Sequence, residues 1–337
     1  MSALDVRADL AAPTRGRRPS LLTWTARSTT AGPLAALVLA VVVFSLTTDT
    51  FLTLDNGSLV VEQVLVTGTL AMGQTLVILT AGIDLANAMI MVLGTLVMAR
   101  LAGGGGLPGL LALLVGAALC AALGAVSGTL VTRLKLPPFI VTLGLLSVLT
   151  AVSQLYADGE SFAVTSSTLT ALGHRSYLFG RIEVTTGMAV LAVMVAGLWF
   201  ALTQTAWGRN VRAVGDDAEA TRLTGVNTRR TVLSVYVIAG LVYAVGAWQA
   251  LGRIPNADPN AFQTGNLDSI TAVVIGGTSL FGGRGGVPGT ILGTLVVTVL
   301  ANGLTQAGID SLYQQVATGV LVIAAVAVDR LVRGRAV

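Results

Sequence analysis

The stretch Trp207–Arg230, WGRNVRAVGDDAEATRLTGVNTRR, is a polar island between two long apolar runs. It carries eight charged residues in twenty-four, in a chain of 337 residues of which only 11% are charged. Within it, Asp216 is placed to N-cap a short helix, with Glu219 three residues on at the capping-box distance. Arg222 then falls in the last turn, and Gly225 stands where a left-handed residue would end the helix. The acids sit at the positive end of the helix dipole and the arginine at the negative end. Such a helix, roughly 12 Å long, has little apolar surface to bury along most of its length. It reads either as a solvated connecting loop or as a docking helix for a subunit outside the membrane.

The sequence on either side of the island makes the chain a polytopic integral membrane protein. It is 54% hydrophobic with 40 glycines, whereas a soluble chain carries about a quarter charged residues. Apolar runs occupy roughly residues 31–48, 59–80, 87–101, 108–131, 138–156, 186–204, 231–250, 267–281, 287–306 and 311–329. Most approach the ~20 residues that a helix needs to cross the hydrocarbon, and lipid leaves the backbone no other open choice. The expected fold is therefore all-α, a helical bundle of eight to ten spans. The runs at 87–101 and 267–281 are short enough to be broken or partial.

With the N-terminus inside and ten crossings, sixteen of the twenty basic residues fall on the inner side; Arg100, Arg175, Arg181 and Arg253 fall outside. That bias puts both termini and the island in the cytoplasm. The net charge of +4 thus follows the membrane topology and does not mark a nucleic-acid partner. The expected organisation is a disordered tail over 1–30, a transmembrane domain over 31–330 with its cytoplasmic loop at about 205–230, and a tail over 331–337. Ala157–Thr185 and Leu251–Asn266 form long outer loops, the second either a partner surface or an ordinary exposed loop.

Several chemistries are excluded by residue type. The single cysteine, Cys120, lies in an apolar run and the single histidine, His174, in a polar loop, so no His/Cys metal site or other cofactor is expected. The glycine-rich run Gly276–Gly286 resembles a phosphate cradle in composition but lacks its lysine. The chain's one lysine, Lys135, follows a leucine, so there is no Walker A motif and no ATPase site of that kind. Those glycines suit a close-packed break buried in protein, and Gly124-xxx-Gly128 and Gly289-xxx-Gly293 suit helix packing. Ser279 with His174 would make a protease pair only if the two met, and this topology separates them.

Asp84, in Gly82-Ile83-Asp84-Leu85, puts a carboxylate at a break between apolar runs. It is either an intramembrane functional group or the N-cap of a helix that begins at Leu85. Glu62, Gln74, Asn87, Ser147, Gln154, Trp248, Gln249, Asn302 and Gln306 are further polar residues in or near spans. They bond between helices or line a polar path. Few are charged, which suits an uncharged, hydroxyl-rich solute better than an ion.

Four stretches in order resemble the sugar branch of bacterial ABC-importer permeases, the ribose/xylose type. They are TLVILTAGIDL (75–85), PPFIVTLG (137–144), WGRNVRAVG (207–215) continuing through Glu219-Ala220 to LTGV (223–226), and Leu267–Gly286 with ANGL (301–304) behind it. The resemblance spans about residues 50–330. It implies a permease that pairs with a second copy or a sibling, two cytoplasmic ATPase subunits and an extracytoplasmic binding protein that delivers a sugar-like solute. It also implies that the island is the ATPase-coupling helix, through Gly215, Asp216, Glu219, Ala220, Arg222 and Gly225. Gln74, Asp84, Asn87 and Asn302 are the candidate translocation residues. The family continues Gly-Ile-Asp-Leu with Ser-Val-Gly-Ser where this chain has Ala86-Asn87-Ala88-Met89, a departure that leaves the solute open beyond the common pentoses. The rival reading is a secondary transporter with Asp84 or Glu62 as its ion site.

Overall fold

A computed structural model describes residues 31–178 and 182–334. The expected tail over 1–30 and the last three residues lie outside them, whereas residues 331–334 continue the last helix.

Each apolar run becomes a helix, and in chain order these are α1 (Ala31–Thr47), α2 (Leu54–Leu79), α3 (Asn87–Ala102), α4 (Gly109–Arg133) and α5 (Pro138–Ala157). After a long loop come α7 (Thr186–Gln204), α10 (Thr228–Arg253), α11 (Gly265–Ile275), α12 (Val287–Gln306) and α13 (Ser311–Gly334). The loop itself holds β1 (Phe162–Ala163), the one-turn α6 (Ser167–Thr170), β2 (Arg175–Leu178) and β3 (Ile182–Thr185). The island supplies α8 (Ala206–Asp216) and α9 (Ala218–Leu223), and β4 (Asn256–Ala257) follows α10. Among the described residues six helices, α2, α4, α5, α7, α10 and α12, are long and apolar enough to cross a membrane. Of the other apolar helices, α1, α3 and α11 are shorter, at 17, 16 and 11 residues.

Local chemistry sets the helix ends. Pro138 opens α5, where its missing N–H costs nothing. Thr53 caps α2 by accepting from the Asn56 amide. The core lies around α2 and α10, whose Leu70, Leu76, Tyr236 and Tyr243 are sealed from solvent. Glycine permits the tightest approach: a Cβ on Gly124 of α4 would collide with the Tyr236 carbonyl of α10, and one on Gly240 with the Cys120 carbonyl. The two helices touch backbone to backbone. Along α4, α5 and α7, large apolar side chains such as Leu114, Ile140, Leu155 and Val193 point outward, the pattern of a surface that meets lipid or another apolar subunit.

The strands depart from the all-α expectation, and hydropathy did not predict them. β2 and β3 form a hairpin, and β1 pairs antiparallel with β4 in the register Phe162↔Ala257. That ladder joins the two long loops after α5 and α10, which places the C-terminal ends of those helices at the same end of the molecule. Arg100 reinforces the junction: its guanidinium donates to the Tyr156 carbonyl and lies 4.8 Å from that ring's centre.

Candidate functional site

The island is an elbow of two helices. Thr205 caps α8 by accepting from the Gly208 amide, and Val211 and Val214 bury one side of it against the bundle. Hydropathy alone missed α8, because its apolar positions recur only as one narrow stripe among charges. The cap of α9 also differs from expectation. Asp216 is the last residue of α8, and Asp217 is the N-cap, extended at φ −154° and accepting from the amides of Glu219 and Ala220 at 2.9 Å each. Of two adjacent aspartates, the one that leaves helical geometry has its carboxylate in reach of the orphan amides. Glu219 is therefore one residue too early for a capping box. It pairs with Arg222 instead, at 3.1 Å to Nε and 2.5 Å to Nη2. That bond holds the Glu219 carboxyl below its ordinary value and raises Arg222. Gly225, at φ +89°, gives its amide to the Arg222 carbonyl and ends the turn.

The elbow is fixed to the bundle at two points. The Trp207 indole donates to Ser234 of α10 at 2.8 Å. Gly215 lies against the last carbonyl of α2, that of Leu79, and any Cβ there would collide with it. The same carbonyl accepts the Gly283 amide at 3.1 Å. The glycine-rich run thus closes over the elbow, with Gly282 and Gly283 at positive φ. Beyond these anchors α9 is exposed through Ala218, Glu219, Ala220 and Arg222, and Leu223 shows 75% of its surface.

Three of the four candidate pathway residues meet inside the bundle. The amide of Gln74, oriented to suit its neighbours, donates to the Asp84 carbonyl at 2.9 Å and accepts from the Asp84 amide at 3.2 Å. Asp84 does not cap a helix at Leu85: α3 begins at Asn87. Its carboxylate instead accepts from the Ala86 amide at 2.9 Å and from the Tyr243 hydroxyl at 3.1 Å. Asn87 donates to Ser269 of α11 at 2.7 Å, and Asn266 of α11 donates to the Leu85 carbonyl at 3.2 Å. The starts of the two short helices α3 and α11 are thereby laced together. Gln74, Asp84 and Asn87 are all at most 1% exposed, so the cluster is a closed brace. Tyr243, Asn266 and Ser269 carried no sequence signal, since a hydroxyl or amide partner across helices is set by packing alone.

Asn302 stands apart. It exchanges reciprocal amide bonds with Asn56 at 2.9 and 3.0 Å. Asn56 precedes Gln74 on α2 by eighteen residues, roughly 27 Å along the axis. Glu62 is bound to Arg175 of the β2–β3 hairpin at 3.2 Å. Gly173, beside His174, packs on Gly252 near one end of α10, whereas the Ser279 loop packs on the elbow, which leads into the other end. Nothing brings Ser279 and His174 together.

A family model described as "Branched-chain amino acid transport system / permease component" matches residues 58–326. The fructose import permease FrcC of Rhizobium meliloti is 42% identical, over 91% of this chain and 86% of its own. The ribose import permease RbsC of Bacillus subtilis is 36% identical, over 89% of this chain and 92% of its own. The D-allose transport system permease AlsC of Escherichia coli is 32% identical, over 89% and 91%. No solved structure matches. Apolar helices, an exposed elbow and these likenesses agree: the chain is a multi-pass membrane protein of the ABC-importer permease family, in the branch that holds the sugar permeases.

Proposed function

We propose that this chain is the membrane-spanning subunit of an ATP-driven importer for a monosaccharide. The observation that carries the proposal is the elbow: α9 projects its polar face and Leu223 outward, while Gly215 holds it against the end of α2. A body docked on α9 would push directly on the α2 terminus and the glycine loop, both continuous with the spanning bundle. Ten crossings, with the elbow and both termini cytoplasmic, fit the ten helical segments and the distribution of arginines. The partners are then two ATPase subunits at the elbow, a binding protein at the paired outer loops and a second permease copy or sibling against the apolar outer faces. Closure of the ATPase pair would turn the bundle from inward- to outward-facing, and ATP hydrolysis belongs to those partners. The monosaccharide class is supported by relatives named for fructose, ribose, D-allose and galactose.

The test is to purify the tagged chain gently from its native membranes and assay ATP hydrolysis alongside identification of the accompanying subunits. A nucleotide-binding subunit that leaves with Glu219→Pro, while the variant chain stays in the membrane, is the expected result. A solitary, ATP-inert chain under conditions that keep other importers assembled would refute it.

A further inference from the structure

A cavity of about 280 Å³ opens between α2, α10, α11, α12 and α13, and none of Gln74, Asp84, Asn87 or Asn302 lines it. It lies at the end of the bundle that carries the paired outer loops: Arg253 closes α10, Phe262 sits in the following loop, and Gln314 is in the first turn of α13. Gln63, Asp268 and Thr298 complete a wall that is mostly polar. Arg253 and Asp268 both face the space, yet among the described residues neither is in an ion pair. Asp268 takes a single side-chain bond, from Thr264 at 3.3 Å. The acid that Arg253 senses, Glu62, is already bound to Arg175.

The pairing of signs narrows the occupant. An anion would suit Arg253 and be repelled by Asp268, and a cation the reverse. A neutral polyol satisfies both, because each hydroxyl donates to a carboxylate and accepts from a guanidinium. Phe262 adds a flat apolar wall and is held at φ +56°, a conformation that is an outlier for so bulky a residue and worth a functional reading. The volume is at the lower end of ligand pockets, about 300 to 1,000 Å³, which fits one sugar ring and not two. Resting on the reading of the chain as a monosaccharide permease, we propose that this cavity is a solute site, with Arg253 and Asp268 bonding vicinal hydroxyls and Phe262 covering the ring's apolar face.

The experiment uses the intact complex in proteoliposomes, with tritiated D-fructose, D-ribose, D-allose and D-galactose delivered by its binding protein. For a sugar that the wild type carries, Asp268→Asn and Arg253→Gln should each lower the maximal uptake rate about tenfold or more, as expected for losing a charge-assisted bond. Both variants should still assemble with their partner subunits, read by co-purification. A second readout does not depend on those variants folding. Cys120 is buried, so Thr67→Cys at the cavity wall gives one accessible thiol, and a water-soluble maleimide should label it more slowly when the sugar is present. Wild-type uptake by both charge variants, or labelling that the transported sugar does not slow, would overturn the site and leave the importer intact. A wild-type complex that hydrolyses ATP and carries none of the four sugars would overturn the monosaccharide reading, and the site with it.

Discussion

The elbow and the laced starts of α3 and α11 are both polar interruptions of an apolar chain, and they have opposite fates. At the elbow, Glu219, Ala220 and Arg222 face outward and bond only within their own turn. In the brace, Gln74, Asp84 and Asn87 are sealed, and beside short local bonds to the Ala86 and Ala88 amides their side chains reach across to other segments. The difference is one of solvent. Water satisfies an exposed polar group, so local sequence decides its partners. Inside the bundle an unpaired amide costs free energy, so its partners must come from whatever else is packed there. Surface polarity is thus available for docking, and buried polarity is committed to holding the fold.

Five substitutions put that contrast under strain, from the largest effect down. Gly215→Val drives side-chain atoms into the Leu79 carbonyl and the glycine loop. It should destabilise the protein by about 3 kcal/mol and uncouple the elbow, read as a lowered melting temperature in detergent and lost uptake. A wild-type melting temperature would mean that the elbow is not wedged against α2. Asn87→Leu removes the donor to Ser269 and should cost about 1 to 3 kcal/mol. If it proved neutral in thermal unfolding, the brace would not be holding α3 to α11.

Asp217→Ala should weaken α9 by about 1 kcal/mol, with faster hydrogen exchange at the Glu219 and Ala220 amides it caps. Asp216→Ala should leave those amides alone, and the reverse result would restore the capping read from sequence. The smallest effect is pH-dependent. Arg222 holds the folded Glu219 carboxyl below the ordinary 4.5, so the pair supports α9 above that value and the support is lost as pH falls through the folded pKa. Both groups are fully exposed, so added salt should mute the effect. Protection of the α9 amides, taken relative to their intrinsic exchange at each pH, should fall with acid in a way that Glu219→Gln abolishes.

The ten helical segments were legible from hydropathy because lipid permits little else, and Gly225 from the helix-ending rule. The cap moved by one residue because Asp216 and Asp217 are equivalent on paper; only the bend between α8 and α9 chooses between them. The β1–β4 ladder was invisible because its strands are two residues each and lie some ninety positions apart. That Asn302 pairs with Asn56, far along α2 from Gln74, was not legible either, since amides of like polarity give no hint of depth along a helix.

Sequence by itself determined that this chain is a membrane bundle, where its helices run and which permease family it joins, because apolar length, arginine placement and short motifs are properties of contiguous residues. Tertiary structure alone decided that Gly215 is wedged under the Leu79 carbonyl, that Asp84 answers to Tyr243, and that Arg253 and Asp268 share one cavity. Those pairings join residues far apart in the chain, and only packing brings them within reach of one another.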